Sequence, residues 1–212
     1  MVAAGGSPHF PPVHLLLVRH GQQERDGQNG ALTALGREQA AATGAVLGLT
    51  EHDRLVSSTR LRAVETALAF GREPEQVADL DEFRFGPDWT WDDADKREDL
   101  VLWRPHHRTP GGESLLEFQR RVQGAMTALV ARPPEGRLVV VTHAAVTDAV
   151  LRWLFGLAPD APWTFEVSVP HASITELHHW PKKRHPAGAP RHTFLLRLGD
   201  VTHLPPGLVT GE

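Results

Sequence analysis

Two apolar stretches of this chain each run straight into a histidine. His14-Leu15-Leu16-Leu17-Val18 is followed by Arg19-His20-Gly21, and Leu138-Val139-Val140-Val141 by Thr142-His143. A third short apolar pair, Leu55-Val56, leads into Ser57-Ser58-Thr59, with Arg62 four residues beyond Ser58. Imidazole titrates nearest neutrality and can attack phosphorus. Guanidinium grips phosphate oxygens as a bidentate fork, and a helix N-terminus adds amide donors. In open α/β sheets, ligands bind beyond the carboxyl ends of the strands. Two imidazoles, two guanidiniums and a helix N-terminus at such strand ends predict a site for a phosphoryl group.

Composition narrows the chemistry. The 212 residues suffice for one domain with a small lobe and a sizeable core, and the apolar share of 41% is that of a globular protein. Cysteine is absent, which excludes disulfides, a thiolate nucleophile and cysteine-bearing metal sites. The formal charge of -4 provides no general basic field for nucleic acid, so an anionic ligand must meet a local cation cluster. No apolar run approaches the roughly 20 residues that cross a bilayer. Met1–Pro12 carries neither basic residues nor an apolar core, so no secretory signal is read and a cytoplasmic protein is expected. Histidine is abundant, at 13 residues. The adjacent pairs His106-His107 and His178-His179 have no further ligand spacing around them, so neither a metal nor a cofactor is expected.

The elements that must position these groups follow from pattern. Residues 1–12 read as a frayed tail and 13–212 as one domain. Strands are expected at His14–Val18, Leu55-Val56 and Arg137–Thr142. Helices are expected from an N-cap at Thr33 to Leu49, from Arg60 to Phe70 behind the capping hydroxyls of Ser57-Ser58-Thr59, over Ser114–Ala131, and over Ala145–Phe155. Three β-rich segments close the chain, at Trp163–Val169, Ser173–His178 and Thr193–Leu198. The basic stretch from Pro181 to Pro190 reads as a hairpin loop, its Lys182-Lys183-Arg184 a solvated tip or a lip for an anionic substrate. The acidic, proline-punctuated segment 71–112 reads as a lid with one short helix near Asp93–Trp103, its tryptophans lining a pocket or packing the lid. Strands alternating with helices predict a three-layer α/β/α sandwich with a largely parallel central sheet and an antiparallel edge strand.

Five blocks in order resemble the histidine phosphatase superfamily, the phosphoglycerate-mutase-like proteins with an RHG motif. They are Val18-Arg19-His20-Gly21, Leu32-Thr33-x-x-Gly36-x-x-Gln39-Ala40, and Ser57-Ser58-x-x-x-Arg62-Ala63-x-Glu65-Thr66-Ala67. Pro110-Gly111-Gly112-Glu113-Ser114 and the strand ending at His143 complete the set, which spans most of the chain. The resemblance implies that His20 is the nucleophile and becomes phosphohistidine. It implies that Arg19, Arg62, His143 and the adjoining Ala144 hold the phosphate. Its tautomer requires the second nitrogen of His20 to donate a hydrogen bond, best to a backbone carbonyl. His143, beside a dianion, is expected to favour its cationic form.

Leu80-Asp81-Glu82-Phe83-Arg84-Phe85-Gly86 resembles the family's L-x-E-x-x-x-G, which makes Glu82 the general acid, with its pKa raised by the phosphate; Asp81 is the nearest rival and Asp79 a weaker one. Glu113 reads as a capping residue within reach of the site. Gln22, Gln23, Asp26, Ser58 and Trp89 are pocket candidates. Departures from the mutases bear on class: Gln23 stands where they carry Ser or Thr, Asp26 where they carry a phosphate-contacting Asn, and Ala144 where Gly is usual. The insert that holds bisphosphoglycerate is not recognisable. The reading is a metal-independent phosphomonoesterase acting on a small phosphorylated metabolite. The alternatives are a phosphoglycerate mutase-type phosphotransferase and a non-catalytic phospho-ligand binding domain. A homodimer stays open.

Overall fold

A computed structural model of the chain describes residues 12–25, 29–87, 105–108, 110–163, 165–181 and 192–211. Six strands form one sheet: β1 (Val13–Arg19), β2 (Arg54–Ser57), β3 (Glu75–Gln76), β4 (Arg137–Thr142), β5 (Ile174–Trp180) and β6 (His192–Asp200). Their order is β3-β2-β4-β1-β5-β6. The β3-β2-β4-β1 half is parallel, whereas β5 pairs antiparallel with both β1 and β6. The antiparallel part is thus two strands wide, where one edge strand was expected.

Among the described residues, four α-helices flank the sheet: α1 (Ala34–Leu47), α2 (Leu61–Leu68), α3 (Leu115–Ala131) and α4 (Ala144–Leu154). The side-chain alternation of β1 and β4 divides the core into two layers. Leu15, Leu17, Leu138 and Val140 pack with Phe118, Val122 and Met126 of α3 and Val146 and Val150 of α4. Leu16, Val18, Val139 and Val141 pack on the other face with Leu47 of α1 and Ala63 and Ala67 of α2. The expected three-layer sandwich follows. No helix among the described residues is long and apolar enough to cross a membrane.

Side chains cap the starts of α1 and α3 but not those of α2 and α4. Thr33 caps α1 by accepting from the Gly36 N–H, and Gly48 ends that helix in the left-handed region. Ser114 and Glu117 form a reciprocal capping box at α3, so Glu113 is not the cap. At α2 the N-cap is Arg60 and no side chain caps it. The hydroxyls of Ser58 and Thr59 are committed elsewhere, to His143 and Asp81. The expected β segment at Trp163–Val169 is not a strand in its described residues. Asp148 of α4 holds it instead, accepting from Trp163 Nε1 at 2.7 Å and the Val167 amide at 3.0 Å. The proposed tail (apart from Pro12), the short helix at Asp93–Trp103 and the basic stretch after Pro181 lie outside the described residues.

Candidate active site

Parallel pairing brings the predicted residues together. Arg19 and Thr142 are register partners at the ends of β1 and β4, and the His20 amide continues the ladder to Thr142 O at 2.9 Å. His20 and His143 therefore stand one residue beyond adjacent strand ends, with ring centroids 5.1 Å apart. Ser57 pairs with Val141 on the other side of β4, and the Ser58 amide reaches Val141 O at 3.0 Å. Arg62 enters from the first turn of α2. All four of Arg19, His20, Arg62 and His143 are buried.

Hydrogen bonds select the tautomer of His20. Its Nδ1 lies 2.7 Å from Gly21 O, and a carbonyl only accepts, so Nδ1 carries the proton. Arg62 Nε donates to His20 Nε2 at 3.0 Å, so Nε2 presents its lone pair. Burial, then the charges of Arg62 and Arg19, hold the His20 pKa well below the usual imidazole range. The imidazole is neutral at neutral pH. Gly21 is required by packing: a Cβ there would lie 2.4 Å from Gly36 O. This joins the first two sequence blocks physically.

His143 is set by burial and its neighbours. Burial, then Arg62, His20, Arg60 and Arg19, depress its pKa well below the ordinary value. Ser58 Oγ lies 2.8 Å from His143 Nε2 and accepts from the Arg60 amide at 3.3 Å. The arrangement that uses the hydroxyl proton has Ser58 donating to Nε2, which leaves the His143 proton on Nδ1. Nδ1 is buried and has no hydrogen-bond partner among the described residues. Arg62 is itself pulled down to about 10 by burial, against the opposing pull of the Glu82 carboxylate, and stays cationic.

The two acid candidates differ in their partners. Asp81 Oδ1 accepts from the Thr59 amide at 2.9 Å and hydroxyl at 2.8 Å, and Arg60 Nε lies 3.5 Å from Oδ2. Asp81 is thereby occupied in tying the β2–α2 turn to its own loop, and Asp79 is exposed. Glu82 is half-buried, accepts the neighbouring Phe83 amide at 2.9 Å, and acts electrostatically on Arg62.

The loop that carries Glu82 is held by one guanidinium. Arg121 of α3 donates to the carbonyls of Asp79 (2.9 Å), Asp81 (2.8 Å) and Glu82 (3.1 Å). Its remaining donors meet Glu113 Oε2 at 2.9 Å and Oε1 at 2.6 Å, and that carboxylate also accepts the Arg84 amide at 2.9 Å. Glu113 thus acts on the site through Arg121 and the loop.

Among the pocket candidates, Ser58 lies in the site. Gln22 does not offer its side chain freely: its Oε1 accepts the Thr33 hydroxyl at 2.8 Å, and its amide donates to Gln39 at 2.7 Å. Gln23 is half-buried in a bridge to Leu32. Ala144 opens α4 beside His143. Asp26 and Trp89 lie outside the described residues.

One site residue went unread in the sequence. His171 lies 5.7 Å from His20 between ring centroids, and Arg19 Nη2 is 3.2 Å from its Nε2. Burial and Arg19 pull its pKa down to about 3, so it accepts from Arg19 as a neutral ring. Arg19 Nη1 is fixed at Val169 O. The available signal was topological. β5 runs antiparallel to β1, so residues just before β5 return to the rim where β1 ends. Ala172, between His171 and β5, has φ 55, an uncommon conformation for a residue with a Cβ, and its amide donates to His20 O at 3.1 Å.

Comparison with known proteins places this geometry. The family model for the histidine phosphatase superfamily (branch 1) matches residues 15–187. Glucosyl-3-phosphoglycerate phosphatase of Mycobacterium tuberculosis is 33% identical over 198 residues, covering 78% of this chain and 86% of that protein. A probable phosphoglycerate mutase of Proteus mirabilis is 27% identical over 164 residues, covering 68% and 76%. The structure of mycobacterial glucosyl-3-phosphoglycerate phosphatase with inorganic phosphate aligns at a TM-score of 0.71 and 27% identity, covering 91% of this chain and 100% of that one. With the family model spanning most of its length, and the sheet and strand-end histidines described above, the chain belongs to the histidine phosphatase superfamily.

Proposed function

We propose that the chain hydrolyses a phosphate monoester of a small metabolite through a phosphohistidine on His20. The observation that carries this reading is the double lock on the His20 tautomer, with Nδ1–H bound to Gly21 O and the Nε2 lone pair turned to Arg62. An incoming phosphate supplies acceptor oxygens for that guanidinium and releases Nε2 to attack phosphorus in line. The P–Nε2 bond forms as the ester P–O bond breaks, and the leaving oxygen takes its proton from Glu82. Water then attacks phosphorus, Glu82 takes the water proton, and the P–Nε2 bond breaks to release phosphate. Arg19, Arg62 and the Nδ1–H of His143 stabilise the charge on the phosphoryl oxygens throughout. The scheme needs no metal. Segment 71–112 supplies both the acid and the surface that selects the alcohol half of the substrate.

The test is turnover of p-nitrophenyl phosphate in chelator by the wild type and His20→Ala, with quench of the phosphoenzyme. The expected result is activity in the wild type alone and a phosphoenzyme that is stable to alkali and labile to acid. Equal rates in the two proteins overturn the enzymatic reading and leave a binding domain. Transfer to an added alcohol that outpaces phosphate release assigns a phosphotransferase instead. A first metabolite panel includes glucosyl-3-phosphoglycerate, the substrate named for the 33%-identical relative.

A further inference from the structure

A second cluster of imidazoles lies at the opposite end of β1. His14 opposes His178 in the antiparallel β1–β5 register, and Glu176 stands two residues before His178 on the same face. The burial pattern confirms the shared face: Glu176 and His178 are half-buried, whereas Leu177 and His179 between and beyond them are buried. The His14 and His178 rings meet edge to face with centroids 4.8 Å apart. His14 Nε2 lies 2.7 Å from Glu176 Oε1. One ligand atom from each of the three residues falls within 4.8 Å of the others.

We infer that His14, Glu176 and His178 form a peripheral site for a divalent transition-metal ion of the zinc, cobalt or nickel class. Two imidazoles and one carboxylate are the donor set such ions take, with the remaining positions open to water. The hard ions magnesium and calcium prefer all-oxygen shells and are not expected. Strand pairing fixes the three backbone positions before any ion arrives, so only side-chain torsions adjust. The carboxylate is also oriented from behind: Glu176 Oε2 accepts from Arg197 Nε at 2.7 Å and Nη2 at 2.6 Å, and Arg197 Nη1 donates to Asp200 Oδ2 at 3.0 Å. That leaves Oε1 directed at His14, an outer arrangement of the type that orients metal ligands.

The exchange balances in protons. A carboxylate accepts only, so the 2.7 Å contact carries a proton on His14 Nε2. A neutral His14 opens Nε2 to the ion by carrying its proton on Nδ1 instead, so binding requires a change of tautomer and no net proton release. The adjacent Arg197 cation weakens the site relative to an isolated triad. Six residues of extended chain separate His14 from His20, about 20 Å. The ion therefore acts on the β1–β5 pairing and leaves the phosphoryl site unchanged.

The test uses the untagged full chain and cobalt(II), whose visible absorption reports nitrogen ligation and low coordination number. The wild type is expected to develop a visible band at one equivalent and to be competed by zinc. His14→Ala and His178→Ala are each expected to weaken binding by at least about tenfold, as loss of supporting interactions already does at metal sites. His52→Ala, an exposed histidine outside the cluster, is expected to bind as the wild type does. Unchanged p-nitrophenyl phosphate turnover in the two cluster variants certifies their fold. Absence of a stoichiometric band overturns the proposal. So does a band that survives both cluster substitutions.

Discussion

Removing Arg121 offers a demanding test of how the acid-bearing loop is held. All five guanidinium donors are used: three on the carbonyls of Asp79, Asp81 and Glu82, and two on Glu113. Arg121→Ala leaves the buried Glu113 carboxylate with the Arg84 amide as its partner among the described residues and strips donors from the loop. The side chains of the pair are only 11% and 8% exposed, so water restores little. Breaking such a pair from one side costs about 3–5 kcal/mol. For a domain of this size that lowers Tm by roughly 6–20 °C. Glu113→Leu combined with Arg121→Leu removes both charges, and its loss is expected to fall well short of the sum of the single variants.

The catalytic consequence is separable from stability. Arg121→Lys keeps a cation but cannot make five planar bonds, so Glu82 loses its fixed backbone. A general acid contributes about 10²–10⁴ to rate where the leaving group needs a proton. An alkyl phosphate needs that proton, and p-nitrophenyl phosphate hardly does. The expected result is a kcat loss of about tenfold or more on the alkyl ester with a much smaller loss on the aryl ester, measured well below the variant's Tm. Equal losses on both substrates would refute a positioning role for Arg121. A Tm change below about 2 °C in Arg121→Ala would refute the energetic argument.

Three further outcomes follow from the same geometry. Because burial, Arg62 and Arg19 depress the His20 pKa, kcat/KM for p-nitrophenyl phosphate is expected to persist below the ordinary imidazole midpoint. A tenfold fall per pH unit starting near 6.5 would contradict the neutral nucleophile. Asp53 answers to acid: burial raises its carboxyl, but hydrogen bonds from Arg137 and the Thr50 amide prevail and hold it well below the carboxylate range. Its folded pKa lies under its unfolded one, so its stabilisation is complete above the unfolded value and is lost as pH falls through the folded one. The gap between the urea midpoints of wild type and Asp53→Asn should therefore hold from pH 7 to about 5 and begin to narrow only as pH falls through the unfolded carboxylate value of about 3.9. Gly21→Ala would set a Cβ 2.4 Å from Gly36 O, a backbone atom that cannot rotate away. The expected cost is about 1–3 kcal/mol of stability with near-complete loss of turnover, read by urea denaturation and kcat.

Much of the site was legible from residue types alone. Arg19, His20, Arg62 and His143 sit at strand ends or in the first turn of a helix, and these boundaries are governed by local hydrophobic pattern and capping. Parallel register then brings them to one rim. The hydroxyls after β2 were read wrongly as helix caps, because a Ser or Thr before a helix has the same local signature whether it caps or turns to a partner. Ser58 turned to His143, which is 85 residues away. The Trp163–Val169 segment had the composition of a strand, but Asp148 takes its Val167 amide and so competes with any ladder.

The sequence by itself determined the chemistry: a cysteine-free chain with two strand-end imidazoles, two arginines and a carboxylate in a recognisable order. Only the tertiary structure decided which groups support them. Asp81 is occupied by Thr59 and Arg60, whereas Glu82 acts electrostatically on Arg62. His171 entered the site because an antiparallel strand returns its start to the end of β1. Glu113 moved from helix cap to partner of the arginine that holds the acid loop. His14 met Glu176 across 162 residues of chain, at a spacing that no local pattern encodes. The reason is common to all four: periodicity and capping are local, whereas neighbours distant in sequence are chosen by how strands, helices and loops pack together.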